Sequence, residues 1–223
     1  MYHLHTNSKI VAFNKPFITE VHRYPYNYQP LQKGRLVPQV VFQPGNFLSA
    51  LPYGSLIGNS LISIHELLEF KQPVVLVFFS AKAYNDKIFA ELESLKLDVD
   101  VMGGKLLVVS NSFSRQIKTF VANNNITVYY DAENVLAEAF GLYSYNNPLH
   151  NWLSGIDDPL TVLPAFYVID PGKRVAFDLI DFDIKIFEKE GLLKMAFIRE
   201  LLSAVHHSFR QFQKQSWPKR ITL

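Results

Sequence analysis

The sequence predicts an α/β fold, and three observations carry that prediction. The run VVLVFF at Val74–Phe79 is continuously apolar and rich in β-branched residues, as expected for a strand covered on both faces. In the next segment Ile88, Leu92 and Leu95 recur at i, i+4 and i+7, while Asp86, Lys87, Glu91 and Glu93 fall elsewhere on the wheel, which makes an amphipathic helix. Gly103-Gly104 then gives a turn before KLLVVS at Lys105–Ser110, a second buried strand. Strand, helix and strand in this order form a right-handed βαβ unit with parallel strands. Val74–Phe79 is expected at the centre of the sheet.

The other elements follow in order around this unit. Residues 1–30 are rich in Tyr, Pro and Asn, show no sustained period, and read as an extended arm before a single domain at 31–223. LVPQVVF reads as a short edge strand opened by Pro38, because proline cannot donate to a central ladder. QPGN follows as a turn. Ser63 and Glu66 have the S-x-x-E spacing that lets a hydroxyl and a carboxylate satisfy each other's end of a helix, here a short one through Leu68. Beyond the second buried strand, Ile117, Phe120 and Val121 mark a helix closed by Asn123–Asn125. Ile126–Tyr130 reads as a strand, and Ala132–Phe140 as a helix with Gly141 as its C-terminal cap.

The stretch 143–158 has no period and many turn formers, and loops of that size are usually functional or mobile. AFYVID, PGKR and VAFDL then read as two strands joined by a turn. Ile198, Leu201, Val205, Phe209 and Phe212 share one face of a C-terminal helix spanning about 192–214.

Composition narrows the function classes. The chain has 223 residues, 48% of them hydrophobic, which is enough for a full core in one domain. Its formal charge is +2 with no long basic or acidic block, so neither nucleic acid nor an acidic partner is indicated. No apolar run approaches the ~20 residues that span a bilayer. The start lacks the apolar core and cleavage site of a signal peptide, and the expectation is a soluble, cytoplasmic protein.

Taken in order, four segments resemble the AhpC/TSA or redoxin family, the peroxiredoxin form of the thioredoxin-like fold. LQKGRLVPQVVF resembles the family's opening, and GNSLISIHELLEFKQPVVLVFF the turn, short helix and central strand that follow it. ITVYYDAENVLAEAFGLY resembles the segment in which a strand ends in Asp and the next helix in Phe-Gly, here Asp131, Phe140 and Gly141. LPAFYVIDPGKRVAF resembles the late hairpin with its Ile-Asp and turn glycine, here Ile169, Asp170 and Gly172. The resemblance covers roughly Leu31 to Asp178 and implies a central mixed sheet with flanking helices. It also implies that Pro164 faces the active-site turn, where such proteins commonly carry a cis-proline. The arginine that peroxiredoxins place just before the late hairpin strand is replaced here by Pro164.

The family's chemistry needs a thiolate at the N-terminus of the helix after the central strand, its pKa lowered by free amides and the positive dipole end. The corresponding turn reads Ser80-Ala81-Lys82-Ala83-Tyr84-Asn85-Asp86-Lys87, and the chain contains no cysteine at all. Thiol peroxidase and disulfide reductase chemistry are therefore impossible for this sequence. Ser80, Ala81, Ala83, Tyr84, Asp86, Lys87 and Pro164 are read as a vestigial active-site turn. Tyr84, Asp86 and Lys87 could hold an anion with the helix-end amides, or Asp86 could simply complement the dipole while Lys87 is solvated. Ser80 would need a base, for which His150 in the long loop is the sole candidate. Tyr143, Tyr145 and Trp152, with His150, could line a binding surface or form a lid packed on the core.

No metal is expected. His3 with His5 and His206 with His207 lack carboxylate or cysteine partners, and Asp178, Asp181 and Asp183 lack a calcium loop's glycine and terminal glutamate. The expectation is a redoxin-fold binding or regulatory module without cofactor. A partner is unspecified, and a homodimer is implied by the resemblance alone. Two alternatives stand beside it: a peroxiredoxin-like antioxidant whose cysteine is absent from this chain, and a non-thiol enzyme using the same cleft.

Overall fold

The computed structural model describes residues 9–12, 18–21, 28–48, 62–64, 66, 71–79, 86–113, 115–124, 126–182, 184 and 196–216. Its centre is the strand that the apolar run dictates. Val74–Phe79 (β5) lies in the middle of a five-stranded sheet, with Lys105–Ser110 (β6) and Thr127–Tyr130 (β7) on one side, and Ala165–Ile169 (β8) and Val175–Ile180 (β9) on the other. β5, β6 and β7 run parallel, Val77 opposite Val108 and Val108 opposite Val128. β8 runs antiparallel to β5 with Phe78 opposite Ala165, and β9 antiparallel to β8 with an irregularity at Val168/Ile169.

Because side chains alternate along a strand, one run of six apolar residues supplies two cores. Val75, Val77 and Phe79 face helices Asp86–Val101 (α1), Arg115–Asn124 (α2) and Ala196–Ser216 (α4). The period read from α1 holds, since Ile88, Leu92 and Leu95 are all buried there. Ile198, Leu201 and Val205 bury the matching face of α4, while Phe209 and Phe212 are partly covered. On the opposite face lie Val74, Leu76 and Phe78 with Phe140 and Tyr167, whose rings meet Phe78 at 5.2 and 6.0 Å between centroids.

Among the described residues this second face is covered by less helix than the first. The helix expected over Ala132–Phe140 is only five residues long, Val135–Ala139 (α3). Asp131 accounts for the late start: its carboxylate accepts the Leu136 and Ala137 amides from outside the helix at 3.2 and 2.9 Å, and Asn134 turns at φ 57°. Much of the rest of the described cover is irregular chain. Tyr28, Val37, Val40 and Phe42 come from the segment before the domain's first helix, and Leu142, Tyr143, Leu149, Val162 and Leu163 from the long loop and its continuation.

Residues 31–37 are tied down through main-chain groups. The Leu31 amide donates to the Phe140 carbonyl at 3.0 Å, Gly34 to Val175 at 2.7 Å, Val37 to Lys173 at 2.9 Å, and Val175 in return to Arg35 at 3.0 Å. The edge strand expected over LVPQVVF is reduced to Val41–Phe42 (β3), paired with Ile62–Ser63 (β4) in a separate two-stranded sheet; at its start Leu36 bridges to Arg174, Val37 gives its amide to Lys173, and Pro38 has none to give. Ser63 and Glu66 form the reciprocal cap, each side chain accepting the other's amide. Within the predicted arm, Lys9–Ala12 (β1) and Ile18–Val21 (β2) pair as an antiparallel hairpin, two strands too short to register as a period. No helix among the described residues is long and apolar enough to cross a membrane.

Gly141 closes α3 at φ +71°, and a Cβ there would collide with the Gln29 carbonyl. Gly155 has φ +85° but open space around its Cα. Gly141→Ala is expected to cost about 2–3 kcal/mol from strain and displacement of the chain around Gln29, whereas Gly155→Ala costs about 1–2 kcal/mol from strain alone. Urea unfolding of the two variants side by side measures the difference.

Tyr28 is 1% exposed, with its ring edge-on to Trp152 at 5.3 Å. Burial pushes its hydroxyl up to about 12 against the opposing influence of Ser144 and Trp152. A raised folded-state pKa means a contribution to stability that is complete below the ordinary value of 10.0 and is lost as pH rises toward 12. Tyr28→Phe is therefore expected to remove part of the fall in melting temperature between pH 10 and 12, read by thermal melts of both proteins across that range.

Candidate functional site at the carboxyl edge of the sheet

β5 ends at Phe79 and α1 begins at Asp86, so the turn that would carry the chemistry lies at the carboxyl end of the central strand, where parallel α/β sheets place their sites. Ser80, Ala81, Ala83 and Tyr84 lie outside the described residues. Asp86 and Lys87 form the first turn of α1. Pro164 immediately precedes Ala165, the partner of Phe78, and so lies near the end of β5; the turn it is expected to face lies outside the described residues. Pro164 is buried, and its carbonyl accepts the Asp181 amide at 2.8 Å. No described peptide bond is cis, so Leu163–Pro164 is trans.

The neighbouring strands build the rest of this edge. At the end of β6, Ser110 bonds both the amide and the carbonyl of Ser112, and its own carbonyl accepts the Asp131 amide at 2.8 Å. The side-chain amides of Asn111 and Asn134 both donate to the Leu160 carbonyl, the second at 3.0 Å. Two strand ends thus clamp the segment that leads into Pro164. Asn111, Asn134 and Asp131 had no role assigned from sequence, because a loop-clamping amide has no spacing signature. Asp131 was legible only as the acidic end of a strand.

The long loop divides its aromatics. Tyr143 is 4% exposed and belongs to the core, and Trp152 is partly buried against Tyr28. Those two form a lid on the sheet. Tyr145, 76% exposed, and His150 face outward. The loop also contains one 3-10 turn, Leu149–Asn151, anchored by buried Leu149. Among the described residues no group of three His, Asp or Glu side chains could hold a metal. His206 and His207 are exposed, and His207 Nε2 lies 2.7 Å from the Gln211 amide. Asp178 accepts the Lys33 amide at 2.8 Å, and burial raises its pKa. It is a strap anchor where the sequence reading gave a solvated strand end. His3, His5 and Asp183 lie outside the described residues.

Asp131 is the most deeply buried carboxylate at this edge. Burial raises its pKa, partly offset by the amides of Ala137, Leu136 and Val135. Its contribution to stability is therefore greatest below the unfolded value near 3.8 and declines as pH rises through the folded value. Asp131→Asn keeps one acceptor oxygen but cannot ionise. Its stability relative to the native protein is expected to improve on going from below pH 3.8 to neutrality, as compared by urea midpoints at the two conditions.

A scan against protein-family models finds no match, and neither does a search of curated proteins. Solved structures do resemble the chain. The peroxidoxin BcpB of Mycobacterium tuberculosis matches at a TM-score of 0.53 with 16% identity, over 79% of this chain and 97% of its own. The 2-Cys peroxiredoxin of Plasmodium vivax in its reduced form matches at 0.53 with 14% identity, over 87% and 90%. AhpC of Mycobacterium tuberculosis matches at 0.51 with 13% identity, over 85% and 97%. At such identities the likeness is one of architecture. The five-stranded mixed sheet and its flanking helices thus give this cysteine-free chain the thioredoxin-like fold in its peroxiredoxin form.

Proposed function

We propose that this chain is a redoxin-fold protein that has no thiol chemistry and serves as a binding or regulatory module, using the carboxyl edge of the sheet and the long loop beside it. One observation carries the reading: the mixed sheet has the peroxiredoxin-type architecture, while the sequence has no cysteine. A sulfenic acid or an internal disulfide needs that sulfur, and oxidised methionine is not a turnover intermediate. The described groups at the edge support binding over catalysis. Asp131 and Asn134 are committed to backbone groups, and His150 is exposed.

The protein freed of contaminating enzymes is expected to consume no peroxide with dithiothreitol as reductant. Measurable turnover proportional to its concentration sinks the proposal. Native mass spectrometry of protein purified gently from its own cells is expected to retain a small molecule or a stoichiometric second protein. A bare monomer or a homodimer alone counts against a module with a separate partner.

A further inference from the structure

α3 and the long loop carry an exposed apolar surface rimmed by unpaired carboxylates. Val135 is 55% exposed, Leu160 43% and Tyr145 76%. Val135 and Glu138, three residues apart on α3, share a face. Glu138 Oε1 accepts the Tyr145 amide at 3.5 Å, and Asp158 Oδ1 accepts the Leu160 amide at 2.9 Å. Tyr143 lies beneath; burial raises its pKa, and the charges of Glu138 and Asp158 act in the same direction against Asn134. The three apolar side chains and two of the carboxylates therefore form one neighbourhood. Buried under its Leu160 side, Asn134 Oδ1 has no hydrogen-bond donor.

The charge of this region is segregated. No lysine or arginine occurs between Lys118 and Lys173, whereas Asp131, Glu133, Glu138, Asp157, Asp158 and Asp170 all do. With an overall charge of +2, the rest of the chain is correspondingly basic. Asp131 and Asp170 are occupied by backbone amides. Glu133, Glu138 and Asp157 are exposed and Asp158 is half-buried, and none of the four joins an ion pair among the described residues.

We infer that this surface docks a basic peptide segment of a partner protein, its lysine or arginine side chains meeting Glu133, Glu138, Asp157 and Asp158 while an apolar side chain covers Val135, Tyr145 and Leu160. The inference rests on the binding-module reading above. Charge complementarity selects the occupant. Self-pairing of the surface about a two-fold axis would set carboxylates against carboxylates, and polyanions are repelled outright. An exposed tyrosine amid aliphatic contacts is the kind of anchor that dominates such interfaces.

The test uses the full chain and a fluorescein-labelled peptide of alternating arginine and leucine, followed by anisotropy at low and high salt. Binding is expected at low salt and weakened by high salt. It is expected to weaken at least about tenfold in a fourfold variant, Glu133→Gln, Glu138→Gln, Asp157→Asn and Asp158→Asn, and in the pair Tyr145→Ala with Leu160→Ala. Glu200→Gln on α4, and replacement of the peptide's arginines by glutamate, serve as controls: the first should leave binding intact and the second abolish it. No binding by the native chain, or equal binding by the fourfold variant with native thermal stability, overturns the inference. So does a self-association that the fourfold variant disrupts, because the occupant is then a second copy. Failure here is separable from failure of the module reading. A cellular partner retained equally by native and fourfold-variant protein refutes only the surface, whereas peroxide turnover refutes the module.

Discussion

A central strand buried on both faces is the constraint on which the rest of this structure depends. Each fully buried valine, leucine or phenylalanine of β5 is worth about 1.5–3 kcal/mol, but only if something apolar lies above it and something apolar below. Three amphipathic helices satisfy one side. On the other side the described cover includes the five-residue α3 and buried Ile64, with most of the remainder supplied by residues 28–42 and the long loop. The ring cluster of Phe78, Phe140 and Tyr167 holds these pieces together, each strand or turn contributing one ring.

That division of labour accounts for the appearance of the carboxyl edge. In a thiol enzyme the helix start after the central strand concentrates free amides on one sulfur. Here α1 is the next described element after β5, and Pro164 directly precedes Ala165, the partner of Phe78. The nearby polar side chains serve the backbone instead. Asn111 and Asn134 hold the Leu160 carbonyl, and Asp131 takes the first amides of α3. The described groups at this edge are therefore invested in fixing loops, and the ionisable groups left over face solvent on the outer side of α3 and the long loop.

Legibility in the sequence followed how each element is stabilised. β5, β6, α1 and α4 are held by side-chain burial, which leaves a period, so Val74–Phe79 and Ile88, Leu92 and Leu95 could be read directly. The segment at 31–37 is held by main-chain hydrogen bonds, which leave no pattern of residue types. α3 was read too long because Ala132 and Glu133 favour helix, while the Asp131 carboxylate occupies the amides in the tertiary structure. In the aperiodic loop, nothing local distinguishes the covering residues Tyr143 and Trp152 from the outward Tyr145 and His150. Their fates are decided by Tyr28, more than a hundred residues away. The family resemblance singles out Pro164 and the turn before α1 but supplies no role for either without the sulfur.

The way residues 31–37 are fastened bears on how such a chain diverges. A peptide group is the same in every residue but proline, so an attachment made from Leu31, Gly34, Arg35 and Val37 amides and carbonyls asks little of the side chains at exposed Gln32, Lys33 and Arg35, while Gly34 at φ +86° favours glycine. Substitutions at those three side chains are close to neutral, and the belt stays buckled while its letters change. The positions that leave little choice are elsewhere, at buried Tyr28 and at Gly141, where a Cβ would strike the Gln29 carbonyl.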